Sequence, residues 1–544
     1  MLISPPASLR PTLATVLILI GVTLGAAGCA QRETSVEEGI RTKTLLVGNQ
    51  NEPATFDPHL CDSSTEVYLI AALFEGLTVF DEKTAAAAPG TAERWEVSPD
   101  GLVYTFHLRA NAKWSNGDRV TARDFAWSFE RFLSPGLASP YAYMLWPIRG
   151  AEAFTAGKAK DFSAVGIEAL GDTALRLTLA QPAPHILTIL ATAMPLHRAS
   201  VEQAGGVGDR TSPWARPGKL VGNGAFTLAE WRPGAHVIAA KNPHYWGAAT
   251  NRLKRVVFLP IEKSDTEELN FRAGQLHVTF DVPPTKIPVY RAEAPERLRL
   301  DPQLSTFYVN FNATKPPFTD ARVRRAFALA LDRAAIAATV FNGAREPART
   351  LVPPSCGGYT GPAGQRDDFA AARELLAAAG FPGGKNFPAL PMLVRNDAAM
   401  PKVAEVIQAM WRRELGVTIT IEPSEQKNWI EAQNTLRHTI AIRGWTADFP
   451  DPTNFLDPFR GGVGGNSSGW ANPAFDRLLD QAATALDPAA RFALLRQAEA
   501  LLLEDAGLAP LYHGARTYLI HPAVKNWEPA PMGIHRYQLI ELWN

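Results

Sequence analysis

Leu102-Val103-Tyr104-Thr105-Phe106-His107-Leu108-Arg109 alternates strictly, with leucine, tyrosine, phenylalanine and leucine on one face and a second face ending in histidine and arginine. A period of two places one face of a strand against a core and leaves the other wet. Outward from it, Ala174 to Leu179 and Gly416 to Glu422 repeat the pattern, so half-buried strands are expected there too. Between them the period becomes helical. Asp320 is placed to cap a helix whose Val323, Phe327, Ala330 and Leu331 form one stripe, with Arg322, Arg324 and Arg325 opposite. Arg491 to Leu503 reads as a second amphipathic helix, and Leu508 to His513 turns apolar again as a strand. Strands and helices mixed without a long regular βαβ array predict α/β lobes with crossing connections.

The bulk properties fit that reading. A chain of 544 residues exceeds one ordinary core, so two or three lobes are expected. Lys plus Arg equals Asp plus Glu at 54 each, which leaves no net field to draw nucleic acid or an anionic membrane surface. The first thirty residues differ from the rest. Arg10 precedes an apolar run from Leu13 to Leu24, shorter than the ~20 residues of a membrane span. Gly25-Ala26-Ala27-Gly28-Cys29 then supplies small residues for cleavage, and the small-small-Cys ending looks like a bacterial lipobox. Residues 1–28 are expected to be a removed signal segment, Cys29 the lipidated mature N-terminus, and polar residues 29–43 a tether. Cys61 and Cys356 then remain in an oxidising compartment, and sequence leaves open whether they pair or are buried separately.

Catalytic signatures are weak. Gly465-Asn466-Ser467-Ser468-Gly469 matches G-x-S-x-G, but that motif needs a strand before it and a helix after it. Here Arg460-Gly461-Gly462-Val463-Gly464 precedes and Trp470-Ala471-Asn472-Pro473 follows, so a glycine-rich loop is the better reading. The chain has no H-E-x-x-H, no Cys-x-x-Cys and no Walker loop, and its eleven histidines are scattered. Neither a cofactor nor a metal is expected, and binding is favoured over catalysis.

A series of longer strings carries a family resemblance. Glu52-Pro53 with Phe56-Asp57-Pro58-His59 resembles the opening of the oligopeptide- and dipeptide-binding proteins of ABC importers. Leu73-Phe74-Glu75-Gly76-Leu77, Pro89 to Trp95, Tyr104 to Arg109, Ala112 to Gly117 and Val120 to Phe125 follow in the family's order. Asn223 to Phe226, Lys241 to Trp246, Phe318 to Arg324 and Gly444-Trp445-Thr446-Ala447-Asp448 continue it along nearly the whole mature chain. Most of these residues are expected to serve the fold. Trp95, Trp114 and Trp127 suit a core, Asp57-Pro58 starts a turn, and Arg109 with Asp124 suits a structural pair.

The resemblance implies a two-lobed, periplasmic-binding-protein-like α/β fold with an extra inserted small domain. It places lobe I at 44–78, 192–304 and 511–544, the inserted domain at 79–191, and the other ligand lobe at 305–510. It implies a peptide ligand, a permease with its ATPase as partner, and a monomer held at the membrane by its lipid. In the oligopeptide-binding branch the aspartate of the Gly-Trp-x-Ala-Asp string holds the ligand's α-amino group, and Asp448 occupies that position. A cleft closing over an ammonium needs such a carboxylate, since an unpaired buried charge costs several kcal/mol. The peptide would add as a strand to Asp62-Ser63-Ser64 on one lobe and Gly444-Trp445-Thr446 on the other. Tyr141, Phe280, Asp281 and Tyr308 match cleft-lining positions.

Three features depart from the family. Ser305 and Thr446 stand where some members join two cysteines. Ile442 stands where some members have an arginine for the ligand carboxylate; Arg443 follows one residue later, on the opposite strand face. Ala399 or Met400 replaces a histidine of similar use. The amino anchor is kept while the carboxylate end is not, so another solute (a dipeptide, a cell-wall peptide, an opine-like amine or a chelated metal) is the alternative within the binding class. An exported cleft hydrolase is the alternative outside it.

Overall fold

The computed structural model describes Met1 and residues 33–61, 63–397, 399–462 and 466–544. The rest of the expected signal segment, Cys29 and Asp62 lie outside the described residues.

Three larger sheets organise the described chain. The first runs in the order Thr44–Gly48, Arg255–Leu259, His236–Lys241, Phe226–Arg232, with only the first pair parallel. Its core joins Leu45, Phe74, Phe226 and Phe258 to Tyr518, Trp527 and Tyr537, so the start, the middle and the end of the chain share it.

The second sheet runs Ala92–Val97, Val103–Leu108, Ala174–Thr178, Ile167–Ala169, antiparallel throughout. The alternating stretch is its second strand: Tyr104, Phe106 and Leu108 are buried, while Val103, Thr105 and His107 are half-buried. The helix Ala122–Leu133 adds to the same core through Phe125, Phe129 and Phe132. Its start is sealed by a capping box: the Thr121 hydroxyl accepts from the Asp124 N–H, and the Asp124 carboxylate accepts from the Thr121 N–H. Such a cap is worth about 1 kcal/mol.

The third sheet has six strands: Glu346–Pro347, Ala509–Leu519, Leu298–Phe311, Ile440–Thr446, Leu390–Arg395 and Ile419–Ser424. Its two faces bury different cores. Val309, Phe311, Ile440 and Ile442 face a core containing Trp411, and Tyr308 and Ala447 face one containing Phe455 and Trp470. The long strands Leu298–Phe311 and Ala509–Leu519 pair from Leu298↔Leu519 to Val309↔Ala509. They run out of this sheet toward the first core, which Tyr518 enters. The architecture is the expected two-lobed α/β fold.

Several local expectations are corrected. The segment read as tether is, over Ser35–Thr42, a helix with its own capping box and with Val36 and Gly39 buried. It is docked, the Val36 N–H donating to the Gly274 carbonyl at 2.9 Å. The strand expected from Gly416 begins at Ile419, because Gly416 ends the helix Met400–Leu415 with a left-handed φ of 70°. Arg109 and Asp124 take different partners. Arg109 lies 3.9 Å from the centroid of the Trp246 ring and donates to the Gly90 carbonyl, while Asp124 serves its cap. For the two cysteines, whose pairing the sequence leaves open, Cys61 and Cys356 are buried in separate cores and Cys356 is a free thiol, so no bridge joins them.

Candidate functional site: a cleft around Asp448

The string Gly444 to Asp448 closes the strand Ile440–Thr446. One edge of that strand pairs with Leu298–Phe311 along its length, from Phe311↔Ile440 to Ser305↔Thr446. On the other edge Leu390–Arg395 reaches only Ile440 and Ala441. Among the described residues, 442–446 therefore present an unpaired strand edge.

The residues around that edge are held in place. A β-carbon on Gly444 would stand 2.5 Å from the Phe307 ring, so the close crossing of the two strands requires glycine. The indole N–H of Trp445 donates to Asn454 Oδ1 at 2.8 Å, and the same oxygen accepts the Asp448 N–H at 3.3 Å. The Ala447 N–H donates to the Leu304 carbonyl at 2.8 Å. The Asp448 carboxylate is thereby aimed away from its own strand, where its Oδ2 accepts the Tyr143 hydroxyl at 3.1 Å. Burial pushes the Asp448 carboxyl above the usual carboxylate range, partly opposed by the hydrogen bonds from Tyr143 and Asn454. Burial, and then the Asp448 charge, push the Tyr143 phenol up as well.

A cavity of about 360 Å³ opens beside Asp448, within the range of small-ligand sites. Thr446 and Asp448 form part of one wall; Ser63, Tyr68 and Tyr141 stand elsewhere around it. The remaining lining is largely apolar and comes from Pro58 and Cys61, from the helix Ser64–Leu73, from Phe132 and Met144, from the segments 189–194 and 532–534, and from Ala447. Among the described residues that line it, Asp448 is the one charged side chain.

A buried polar network fixes the loop that leads to Ser63. Asp57 accepts from Arg131 Nη2 at 2.6 Å and Nη1 at 3.2 Å, and its Oδ1 also accepts the His59 N–H at 3.0 Å. The Asp57 and Arg131 side chains are 4% and 1% exposed. Arg131 also donates to the Gly206 carbonyl and to His59 Nδ1. An arginine only donates, so Nδ1 is the acceptor, and Nε2–H is left to donate to the Met194 carbonyl at 3.0 Å. Burial, reinforced by Arg131, lowers the imidazole to about 4, which agrees with this neutral tautomer.

Of the expected site residues, the cavity brings together Ser63, Tyr141, Thr446 and Asp448. Gly444 and Trp445 support the string from behind, and Ser64 opens the helix behind Ser63. Phe280 and Asp281 lie one ring away. Their N–H groups donate to Glu267 at 2.8 and 3.2 Å, and the Phe280 ring is 6.1 Å from that of Tyr68, which does line the cavity. Tyr308 is a correction: it is 2% exposed and packs on Phe459, because its strand face is covered by the helical core. Arg443 pairs in register with Tyr308, on the face opposite Ile442 as expected. Ser467, from the G-x-S-x-G string, is buried and accepts from the Asn310 amide at 3.1 Å.

Tyr143 and the apolar lining were not read from sequence. One signal was available: in Ser64–Leu73, Val67 to Leu73 is an unbroken run of apolar and aromatic side chains. A helix apolar on every face needs cover on every face, or a ligand on one of them.

The comparisons agree with this architecture. The model for the middle region of bacterial extracellular solute-binding proteins, family 5, matches residues 86–467. The periplasmic oligopeptide-binding protein OppA of Salmonella typhimurium is 33% identical over 527 residues, covering 93% of this chain and 94% of its own. The "Probable deoxycholate-binding periplasmic protein YgiS" of Escherichia coli is 35% identical over 489 residues, 88% of this chain and 89% of its own. The unliganded open form of MppA, a periplasmic murein tripeptide-binding protein, superposes with a TM-score of 0.84 at 32% identity, over 92% of this chain and 97% of that one. A structure of Escherichia coli MppA gives 0.73 at 32% identity, over 92% and 98%. The chain belongs to the bacterial extracellular solute-binding proteins, family 5.

Proposed function

We propose that this protein captures peptides with a free amino end in the cleft at Asp448 and delivers them to the permease of an ABC importer, without chemistry on the ligand. The observation that carries the reading is the desolvated Asp448 carboxylate, the single charged side chain among the described residues that line the cavity, beside an unpaired strand edge. The edge at 442–446 supports strand addition by the peptide backbone, which would be indifferent to most side chains. On this reading the lobes are 44–78 with 192–304 and 511–544, then 79–191, then 305–510. The near segregation of the hydrophobic cores along those lines supports the division. The names of OppA and MppA, relatives that bind oligopeptides and a murein tripeptide, point the same way.

YgiS and the apolar cavity favour a second reading, an amphipathic steroid acid. The carboxylate of deoxycholate would meet that of Asp448 in a desolvated site, and like charges there repel. Peptides are therefore preferred. Calorimetric titration with di- to pentapeptides and with deoxycholate decides between them, followed by mass spectrometry of the recovered ligand. Saturable binding of intact peptide is expected; binding of deoxycholate alone, or recovery of hydrolysed peptide, would sink the proposal.

Cys29 is proposed as the lipid anchor, on the small-residue cleavage pattern before it. The mature protein should partition into detergent, and Cys29→Ser should move it to the aqueous phase or leave it uncleaved. Wild type recovered wholly in the aqueous phase would refute the anchor.

A further inference from the structure

The cavity at Asp448 is not neutral toward the side chain that would enter it. An amino-anchored peptide carries its first side chain on the carbon bonded to the anchored nitrogen. That side chain must therefore lie in the same cavity as the Asp448 carboxylate, within a few bonds of it. Facing it are Val67 and Ile70 on the helix Ser64–Leu73, Phe132 at the end of Ala122–Leu133, and Met144, Ile189 and Ile534. These come from four separate stretches of chain besides the C-terminal segment, so the apolar character does not follow from one helix face. The volume, about 360 Å³, accommodates a large side chain. A second charge placed there would find no opposite partner among the described lining residues other than Asp448, which the ammonium already occupies.

From this we infer that the protein selects peptides by their first residue, taking large apolar side chains such as phenylalanine, leucine or methionine and discriminating against charged ones. The inference rests on the peptide reading with Asp448 as amino anchor, and it narrows that reading from indifference at every position to selectivity at one. Each buried methylene contributes about 0.8 kcal/mol, so leucine or phenylalanine in place of alanine gains roughly ten- to a hundred-fold in affinity after incomplete burial is allowed for. A first-position glutamate binds worst, since it sets a like charge beside Asp448. The same substitutions at the second residue, whose side chain leaves an extended backbone in the opposite direction, have little effect.

The test is calorimetry on the mature chain with the series X-Ala, X-Ala-Ala and X-Ala-Ala-Ala, where X is Ala, Phe, Lys or Glu, together with Ala-Phe-Ala. Phe is expected to exceed Ala roughly ten- to a hundred-fold at the first position and by less than about threefold at the second. Val67 is half-buried, so Val67→Glu keeps the fold, which circular dichroism verifies. It places a carboxylate in the apolar wall, and should abolish the Phe preference while raising affinity for Lys-first peptides. Phe-first and Lys-first peptides binding wild type within threefold of one another would overturn the inference and leave the peptide reading standing. Failure of every peptide to bind would overturn the peptide reading, and the inference with it.

Discussion

Asp448→Asn should weaken binding of a free-amine peptide by about 2–5 kcal/mol, or roughly thirty- to several-thousand-fold. The substitution removes the charge and leaves an ammonium enclosed in a cavity with no other charged lining residue described. N-acetylation of the peptide should lose a comparable amount against wild type and little more against the variant, because both changes delete the same interaction. That non-additivity separates an ion pair from a general disturbance of the cleft. The fold should persist, since Asp448 is only half-buried and its ring-side neighbours are held by Asn454 and Leu304 independently of its charge.

The same carboxylate sets a pH dependence. Burial raises the Asp448 carboxyl in the ligand-free protein, and only its ionised form pairs with an ammonium. Affinity should therefore fall as pH drops through that raised value, at a higher pH than an ordinary aspartate would impose. An arriving ammonium favours ionisation, so binding in that pH window releases protons, and calorimetry in buffers of different ionisation enthalpy detects them. Tyr143→Phe deletes a hydrogen bond to the ionised form and should move the midpoint upward. Affinity independent of pH in wild type, or unchanged in Asp448→Asn, would reduce Asp448 to a turn residue.

What could be read in advance follows from how far apart the interacting residues lie in the chain. The strand Val103–Leu108 was legible because one face is buried and the other is not, and the capped helix Ala321–Leu329 because Asp320 precedes a clear stripe. The strand Leu298–Phe311 was not legible. Asp301-Pro302 within it reads as a turn, yet the pairing with Ala509–Leu519 is irregular between Pro302 and Thr306, where a residue without an N–H is tolerated. Asp448 could be placed through the resemblance, since the carboxylate sits in a contiguous string. Tyr143 could not, because 305 residues separate it from Asp448 and only the fold brings the two together. Tyr308 shows the opposite error: a position matched by resemblance says nothing about which sheet face the local core covers.

Asp57→Asn should destabilise the fold by about 3–5 kcal/mol, although Asp57 does not line the cavity. Sequence suggests only a turn-starting Asp-Pro, and the Asp57 Oδ1 does accept the His59 N–H in that role. Its larger task is to neutralise Arg131, 74 residues away and 1% exposed. Without the carboxylate the guanidinium keeps the Gly206 carbonyl and His59 Nδ1 but stays charged and sealed from water. Arg131→Met removes the charge but strands the Asp57 carboxylate, so each single variant is costly and the double variant should lose clearly less than their sum. Urea unfolding followed by tryptophan fluorescence reads this directly, since the Trp214 ring lies 5.9 Å from the Arg131 guanidinium. The destabilisation should be the same in 0.1 M and 1 M salt, because a pair this buried is little screened. Peptide affinity should fall too, because Pro58, Cys61, Phe132 and Met194 line the cavity and all belong to segments that this network ties together. A single variant whose unfolding midpoint matches wild type, or a double variant whose loss equals the sum, would show that the pair does not hold the cleft wall in place.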